Sequence, residues 1–177
     1  MNYCYLDSPI GDLLLAGEDK GLVYIGFPNG KGKVTPGVDW ILKADCFNDA
    51  SRQLGEYFDG KRFEFDLLLA PHGTPFQLEV LQALTQIPYG QTRTYRDIAV
   101  SIGRAKAVRA VGAANGRNPL PIVIPCHRVI GSNGSLTGFG GGLATKKFLL
   151  ELESRRNQGQ QGIGSLQEPL KAIYKSR

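Results

Sequence analysis

The sequence predicts an α+β protein: a small N-terminal domain of mixed sheet and helix, then a mainly helical C-terminal domain. Short apolar runs separated by glycines near the start of the chain favour strands. Helical periodicity dominates from residue 74 onward, with a helix-turn-helix pattern and a loop that carries a cysteine. We therefore expect domains at 1–70 and 74–156, joined by a short linker and followed by a flexible tail at 157–177.

In the N-terminal domain, apolar runs at 3–6, 13–16 and 22–25 predict three strands. A helical stripe beginning at Ala50 ends at an Asp-Gly pair, which predicts one helix. Apolar and charged residues then alternate over 63–67, the pattern of a half-buried strand. Together these elements predict a mixed sheet covered by a helix.

The C-terminal domain begins with Thr-Pro-Phe-Gln at 74–77, a capping box with proline at the first helical position. That helix is expected to end at Pro-Tyr-Gly, residues 88–90. A second helix starts at Thr94 and stops at Gly103, and a third covers 106–115. The tight glycine turn between the second and third helices indicates a helix-turn-helix, which is a common motif.

The third predicted helix is unusual because its exposed face is almost entirely alanine and glycine, after Arg109. Small side chains allow close packing against another helix inside the protein. They also make a helix slim enough to approach a nucleic-acid groove. A helix with ordinary side chains is about 10–12 Å across and the DNA minor groove about 6 Å wide, so that groove would have to open.

The charge distribution favours an anionic partner for the C-terminal domain. The 177-residue chain carries a net charge of +5. Residues 72–156 hold 11 Lys and Arg against 4 Asp and Glu, whereas residues 1–71 hold 7 against 11. A basic surface of this kind suits DNA or RNA, although it could equally be a solvated face.

The remaining composition argues against a membrane or secreted protein. No apolar stretch approaches the roughly 20 residues that span a bilayer, and the start has no signal-peptide pattern. Three widely spaced cysteines do not form a disulfide framework and favour a reducing compartment. We expect the cytoplasm, or the nucleus if the source is eukaryotic.

The pentapeptide Pro-Cys-His-Arg-Val at 125–129 carries the strongest chemical information. It follows an apolar run at 122–124 that predicts a buried strand. The thiolate is the nucleophilic form of cysteine, so a neighbouring imidazole is chemically useful. A buried structural cysteine, a zinc ligand and a cysteine hydrolase are the alternatives, and neighbours on an extended strand point to opposite sides.

From about residue 74 to 153 the chain closely resembles the methylated-DNA–protein-cysteine methyltransferases, the O6-alkylguanine-DNA alkyltransferases. The pentapeptide carries this resemblance, with matches at 74–77, 87–90, 109–112, 118–119 and 138–143. The resemblance implies repair by stoichiometric transfer of an alkyl group from O6 of guanine, or O4 of thymine, to Cys126. It also implies a monomer, no cofactor, and double-stranded DNA as partner, bound at the minor groove with the alkylated guanine flipped.

The resemblance also assigns residues one by one. Catalysis is implied for Cys126, His127, Glu153, Tyr95 and Asn118. DNA contact is implied for Arg109, Ala110, Gly112, Ala113, Ala114, Thr94, Arg117 and Arg128. The substrate pocket is implied to contain Val129, Phe139, Gly140, Gly141 and Lys146.

Within the resemblance, Cys126 is the attacking sulfur, His127 takes its proton through a water, and Glu153 orients that histidine. Asn118 holds the cysteine loop, and Tyr95 donates a proton to the departing guanine. Arg109 fills the space of the extruded nucleotide. A protein that binds alkylated DNA without reacting with it is the alternative function.

Two departures from the family pattern are visible. Cys4, Cys46 and His72 do not form the set that holds a structural zinc in some members, so we expect no metal. Gly140 and Phe139 stand where relatives have serine and tyrosine, which leaves the range of accepted alkyl groups open.

Overall fold

The computed structural model describes residues 1–159 and has the α+β architecture that the sequence predicts. The strands in that range are β1 (Asn2–Leu6), β2 (Leu13–Glu18), β3 (Gly21–Gly26), β4 (Ile41–Leu42), β5 (Arg93–Thr94) and β6 (Val129–Ile130). The helices there are α1 (Asn48–Phe58), α2 (Pro75–Leu84), α3 (Tyr95–Ser101), α4 (Val108–Gly116) and α5 (Leu143–Gly159), with a 3₁₀ turn at Cys126–Arg128.

The N-terminal sheet has the strand order β3-β2-β1-β4. The β1–β2 and β2–β3 pairs are antiparallel, while β4 pairs with β1 in parallel. The central strand β2 is buried from Leu13 to Ala16, and Leu54 and Tyr57 of α1 are buried in the same core. The strands predicted at 3–6, 13–16 and 22–25 and the predicted helix of this domain are therefore confirmed.

The predicted strand at 63–67 is wrong, because a side chain takes the place of a strand partner. The Gln53 amide on α1 donates to the Asp66 carbonyl at 2.7 Å and accepts from the Asp66 N–H at 2.8 Å. These bonds satisfy the backbone groups that a ladder would otherwise use. Only afterwards does the chain meet the sheet, in an isolated parallel bridge between Leu69 and Leu22.

Capping boxes set the start of two helices in the C-terminal domain. Thr74 and Gln77 exchange side-chain and backbone hydrogen bonds at the start of α2, and Thr94 and Asp97 do the same for α3. The helix predicted over 106–115 is α4, which begins two residues later at Val108 and ends at Gly116. Helix α4 packs against both α2 and α3.

The predicted strand at 122–124 is instead a buried turn. Ile122 has a positive φ of 76°, and Pro121 and Ile124 face each other in an isolated bridge. Asn118 closes this loop from inside: its Nδ2 donates to the Ile124 carbonyl at 2.8 Å and its Oδ1 accepts from the Leu120 N–H at 3.0 Å. The loop delivers the chain to the 3₁₀ turn that contains Cys126.

Helix α5 continues to Gly159, three residues into the segment that the sequence predicts to be a flexible tail. The remainder of the predicted tail, including a marginal helix at 166–174, lies outside the described residues. Among the helices of residues 1–159, none combines the length and the hydrophobicity that crossing a bilayer requires.

We expect Thr74→Ala to lower the free energy of unfolding by about 1 kcal/mol, because it removes the N-cap of α2. Chemical denaturation of both proteins measures the difference. Thr35→Ala, at an exposed loop threonine, is the control and should change stability by less than about 0.5 kcal/mol. Equal effects of the two substitutions would show that the capping box does not stabilise the helix.

Candidate active site

Cys126 lies at the first position of the 3₁₀ turn, with His127 and Arg128 completing it, and all three residues are buried. Its N–H donates to the Ile124 carbonyl at 2.8 Å. A turn of three residues per revolution does not alternate its side chains as a strand does. On a strand, the side chains of Cys126 and His127 would point to opposite sides, but in this turn they do not have to.

A cavity of about 310 Å³ lies beside Cys126, and both domains line it. From the C-terminal domain it is lined by Asn118, Phe139 and Gly140, and from the N-terminal domain by Phe27 and Gly32. The Phe27 and Phe139 rings meet edge to face at 5.3 Å between centroids, and the Gly32 N–H donates to the Gly140 carbonyl at 2.9 Å. The N-terminal domain thus forms one wall of the pocket.

The carboxylate of Glu153, on α5, is buried behind His127, and donors converge on both of its oxygens. Oε1 lies 2.6 Å from His127 Nε2 and accepts from the Arg128 Nη2 at 2.9 Å and from the Tyr57 hydroxyl at 2.8 Å. Oε2 accepts from Arg128 Nε at 2.8 Å and from the Gly90 N–H at 3.1 Å. Burial raises the pKa of Glu153, but the bonds from His127 and the charge of Arg128 outweigh it and hold that pKa well below its usual range.

His127 is a neutral base in this setting. Burial lowers the pKa of His127, and its bond with Glu153 opposes that shift without cancelling it, since Arg128 balances the carboxylate charge. The anionic acceptor places the imidazole proton on Nε2. The other ring nitrogen, Nδ1, is buried and has no hydrogen-bond partner within residues 1–159. His127 therefore has a lone pair with which to accept a proton.

The thiol of Cys126 is protonated at rest. Burial raises the pKa of Cys126 to about 11, although a hydrogen bond from Asn118 and the positive charge of Lys146 favour the thiolate. The neighbouring imidazole thus does not make the sulfur anionic in advance. Nucleophilic attack requires removal of the proton during the reaction.

Lys146, on α5, does not line the cavity but connects two segments beside it. Its buried ammonium donates to the Val129 carbonyl at 2.6 Å and to the Thr137 carbonyl at 2.9 Å. Val129 is itself fully buried behind the cysteine turn. Gly141, also predicted for the pocket, packs against the Phe27 ring, where a Cβ would come within 3.0 Å. Lys146, Val129 and Gly141 therefore lie behind the residues that line the pocket and do not line it themselves.

Tyr95, at the start of α3, is half-buried, and its hydroxyl accepts from Thr137 Oγ1 at 3.2 Å. The ring lies against Gly112 of α4, where a Cβ would stand 3.7 Å from it. Tyr95 is not among the residues that line the cavity next to Cys126. It borders the same loop, residues 137–140, from the side of the helix-turn-helix.

Most of the residues predicted to contact DNA lie on one surface. Arg109, Ala110, Ala113 and Arg117 are exposed on or just after α4, and Gly112 is half-buried between them. Thr94 is the N-cap of α3 and is half-buried, with its hydroxyl accepting from the Asp97 N–H. The exposed face of α4 is therefore as slim as the sequence indicates.

Two of the predicted DNA contacts are wrong. Arg128 is only 6% exposed, and its guanidinium is bonded to Glu153 and to the Ile87 carbonyl at 2.6 Å, so it is not available to a phosphate. Ala114 faces inward, because α4 turns it toward the core together with Val111. The alternative interpretation, close helix packing, therefore holds for the inner side of α4.

Sequence reasoning missed three residues of the site. Tyr57 reaches Glu153 from α1, Phe27 forms part of the cavity wall, and Asn115 donates to the Cys126 carbonyl at 3.5 Å. Asn115 could have been predicted, because it is a polar residue on the side of the helix that carries the apolar residues. For Tyr57 and Phe27 nothing in the local pattern distinguishes them from ordinary core aromatics.

Both parts of the chain match models of one protein family. Residues 75–155 match the DNA-binding domain of 6-O-methylguanine DNA methyltransferase, and residues 1–71 match its ribonuclease-like domain. The methylated-DNA–protein-cysteine methyltransferase of Methanosarcina barkeri is 57% identical over 153 residues, which is 86% of this chain and 97% of that protein. The enzyme of the same name from Mycobacterium tuberculosis is 48% identical over 156 residues, covering 88% and 94%.

Solved structures agree with the sequence relatives. The crystal structure of Mycobacterium tuberculosis OGT in complex with DNA superposes with a TM-score of 0.83 at 47% identity, covering 88% of this chain and 94% of that one. The O6-methylguanine-DNA methyltransferase of Pyrococcus kodakaraensis superposes with a TM-score of 0.64 at 25% identity, covering 86% and 98%.

We expect the free energy of unfolding to fall as the pH is lowered below about 6.5, because the folded-state pKa of His127 lies below its unfolded value. Neutral His127 contributes stability that is complete above the unfolded pKa and is lost toward the folded one. Glu153, whose pKa is also lowered, adds a second loss below about pH 4.3. Urea denaturation across this range measures the slope, up to about 1.4 kcal/mol per pH unit for each group.

The two histidines of the chain provide the control for this experiment. His127→Gln should remove the loss of stability that begins below about pH 6.5. His72→Gln, at an exposed position, should retain it. A slope that persists in the first variant, or vanishes in the second, would place its origin outside the active site.

Proposed function

The chain belongs to the 6-O-methylguanine DNA methyltransferase family, and we propose that it repairs DNA by taking a methyl or other alkyl group onto Cys126. The donor is O6 of guanine or O4 of thymine in double-stranded DNA. The observation that carries this proposal is the cluster in which a neutral His127, bonded to Glu153, stands beside a cysteine that opens on a cavity. The protein acts as a monomer, in the compartment that contains the DNA.

The reaction is an in-line displacement at the alkyl carbon. A bond forms between Cys126 Sγ and that carbon while the bond from the carbon to O6 breaks, and its electron pair goes to the guanine. The thiol proton passes to His127 Nδ1 through a water molecule, the guanine takes a ring proton from the Tyr95 hydroxyl, and the proton on His127 returns through solvent to Tyr95. Atoms and charge balance without a cofactor, because the cysteine itself is the acceptor.

The geometry of the site supports these roles for His127 and Glu153. A protonated thiol with a pKa of about 11 needs a base, and the buried imidazole has a free nitrogen. Transfer of the proton creates an imidazolium, which the anionic Glu153 stabilises at 2.6 Å. The burial that keeps the thiol neutral thus also strengthens the electrostatic attraction that activates it.

The other predicted residues act on the loops and on the base. Asn118 holds the cysteine loop through its two backbone hydrogen bonds, and Lys146 fixes the pocket loop through Thr137. Tyr95, at the border of that loop, donates to the departing guanine so that it leaves as a neutral base. Phe139 and Gly140 bound the space for the alkyl group.

A nucleophile at the bottom of a protein cavity cannot reach a base inside the double helix. The alkylated nucleotide must be flipped out, at a cost of a few kcal/mol for unstacking and unpairing. The small residues Ala110, Gly112 and Ala113, of which the two alanines are exposed, let α4 enter a widened minor groove, and Arg109 occupies the space that the base leaves. Thr94 and Arg117 contact the DNA backbone beside the flipped nucleotide.

The product is a thioether, which is a poor leaving group. The described site has no second nucleophile that could remove the alkyl group from Cys126. Each molecule therefore repairs one lesion and is consumed, so that the rate of repair depends on the amount of unreacted protein.

We expect incubation with O6-methylguanine in duplex DNA to add one methyl group to the peptide that contains Cys126. Cys126→Ser should bind the same DNA but acquire no methyl group, because a hydroxyl is a much weaker nucleophile than a thiolate. Peptide mass mapping measures transfer, and fluorescence anisotropy measures binding. Binding without transfer by the unmodified protein would support a non-catalytic damage-binding protein instead.

We expect Arg109→Ala to slow transfer from methylated duplex DNA by about tenfold, the effect of losing roughly 1.4 kcal/mol of compensation for base extrusion. Reaction with free O6-alkylguanine should be unchanged, since no base is extruded. Lys106→Ala removes a neighbouring exposed charge outside α4 and is the control for general electrostatics. Equal losses of Arg109→Ala on both substrates would contradict the extrusion role.

A further inference from the structure

One side chain of the N-terminal domain reaches the centre of the catalytic cluster. Tyr57, on α1, is 0% exposed, and its hydroxyl donates to Glu153 Oε1 at 2.8 Å. That oxygen is the one that His127 Nε2 engages at 2.6 Å, and the hydroxyl itself stands 3.5 Å from Nε2. Polar groups from two separate elements, α1 and the 3₁₀ turn, therefore meet at one carboxylate oxygen of α5.

We propose that Tyr57 is a positioning residue for proton transfer, supplied by the N-terminal domain to the Glu153–His127 pair. The inference rests on the proposed function, since it concerns the base that deprotonates Cys126 in the same reaction. Tyr57 acts through Glu153 and lies away from the reacting atoms.

The hydroxyl group, and not the ring, carries this proposal. The Tyr57 ring packs against Phe58, Phe65 and Tyr89, with centroids 5.5 to 6.0 Å away, and a phenylalanine ring would fill the same space. A buried hydroxyl must find a partner, and here the partner is the catalytic carboxylate. A hydrogen bond to an ionised acceptor is stronger and more directional than one between neutral groups.

The bond constrains both the orientation and the charge of the carboxylate. Its donor comes from α1, whereas His127 and Arg128 both belong to the 3₁₀ turn, so a second element holds Oε1 in place beside His127. It also stabilises the anion and weakens its attraction for the imidazole proton. His127 consequently remains a neutral base until Cys126 releases its proton.

The charged groups around His127 determine in which direction its pKa moves when the Tyr57 hydroxyl is removed. Arg128 and Lys146 both lower the pKa of His127 through their charges, and Glu153 raises it. Tyr89 lies beside Tyr57, whose own pKa burial raises well above its usual value, so Tyr57 remains a proton-bearing donor. Without the hydroxyl, Glu153 attracts the His127 proton more strongly and the pKa of His127 rises.

The test is Tyr57→Phe in the full chain, with the single-turnover rate of methyl transfer from duplex DNA measured against pH. We expect a rate about tenfold lower, as for the loss of one hydrogen bond to a charged group, because His127 is less well oriented. The acid limb of the profile should move to higher pH, because His127 becomes neutral only at higher pH. The same shift should appear in the alkylation of Cys126 by iodoacetamide, followed on the Cys126 peptide without DNA.

Phe65→Leu is the matched control, because it removes packing from the same ring and leaves the hydroxyl in place. It should lower the denaturation midpoint without moving either pH profile. Unchanged profiles in Tyr57→Phe, or equal shifts in both variants, would overturn the inference. If the unmodified protein transfers no methyl group, the proposed function fails, and the iodoacetamide profile still decides the role of Tyr57.

Discussion

The buried carboxylate of Glu153 is the constraint on which the rest of the site depends. A charge that is 1% exposed is tolerated only when it is fully hydrogen-bonded, and the donors come from α1, the Gly90 turn and the 3₁₀ turn. Satisfying one anion thus fixes the positions of three segments that are far apart in sequence. Arg128 is the largest part of that arrangement, which explains why it is turned inward and away from any nucleic acid.

Burial has opposite consequences for the two partners in proton transfer, and the combination gives the site its chemistry. It raises the pKa of the Cys126 thiol and lowers that of His127, so both groups are neutral at rest. In the proposed reaction, an ion pair of thiolate and imidazolium therefore forms only during transfer, and Glu153 and Lys146 stabilise its two charges. A resting thiol that is neutral and enclosed is also poorly reactive toward other electrophiles.

Much of the fold was predictable because it depends on interactions between residues close in sequence. The errors arose where residues bond to partners on other elements. The capping residues Thr74 and Thr94 act within one helical turn, so their sequence is sufficient to place α2 and α3. The strand predicted at 63–67 failed because Gln53, on the preceding helix α1, satisfies the backbone groups of Asp66. The inward turn of Arg128 and the reach of Tyr57 likewise depend on Glu153, which is 25 and 96 residues away along the chain. Cys126 and His127 could be identified because the chemistry resides in adjacent residues.

The bond between the Gly32 N–H and the Gly140 carbonyl has a consequence for how the protein can be divided. Proteolysis in the segment between the domains would release a C-terminal fragment that keeps the sulfur, the imidazole and the helix-turn-helix. That fragment would lack the Phe27 wall and would open its pocket to bulk water. The two halves therefore share one pocket, and severing them would leave the sulfur, the imidazole and the helix-turn-helix on a fragment without the Phe27 wall and the Tyr57 hydroxyl.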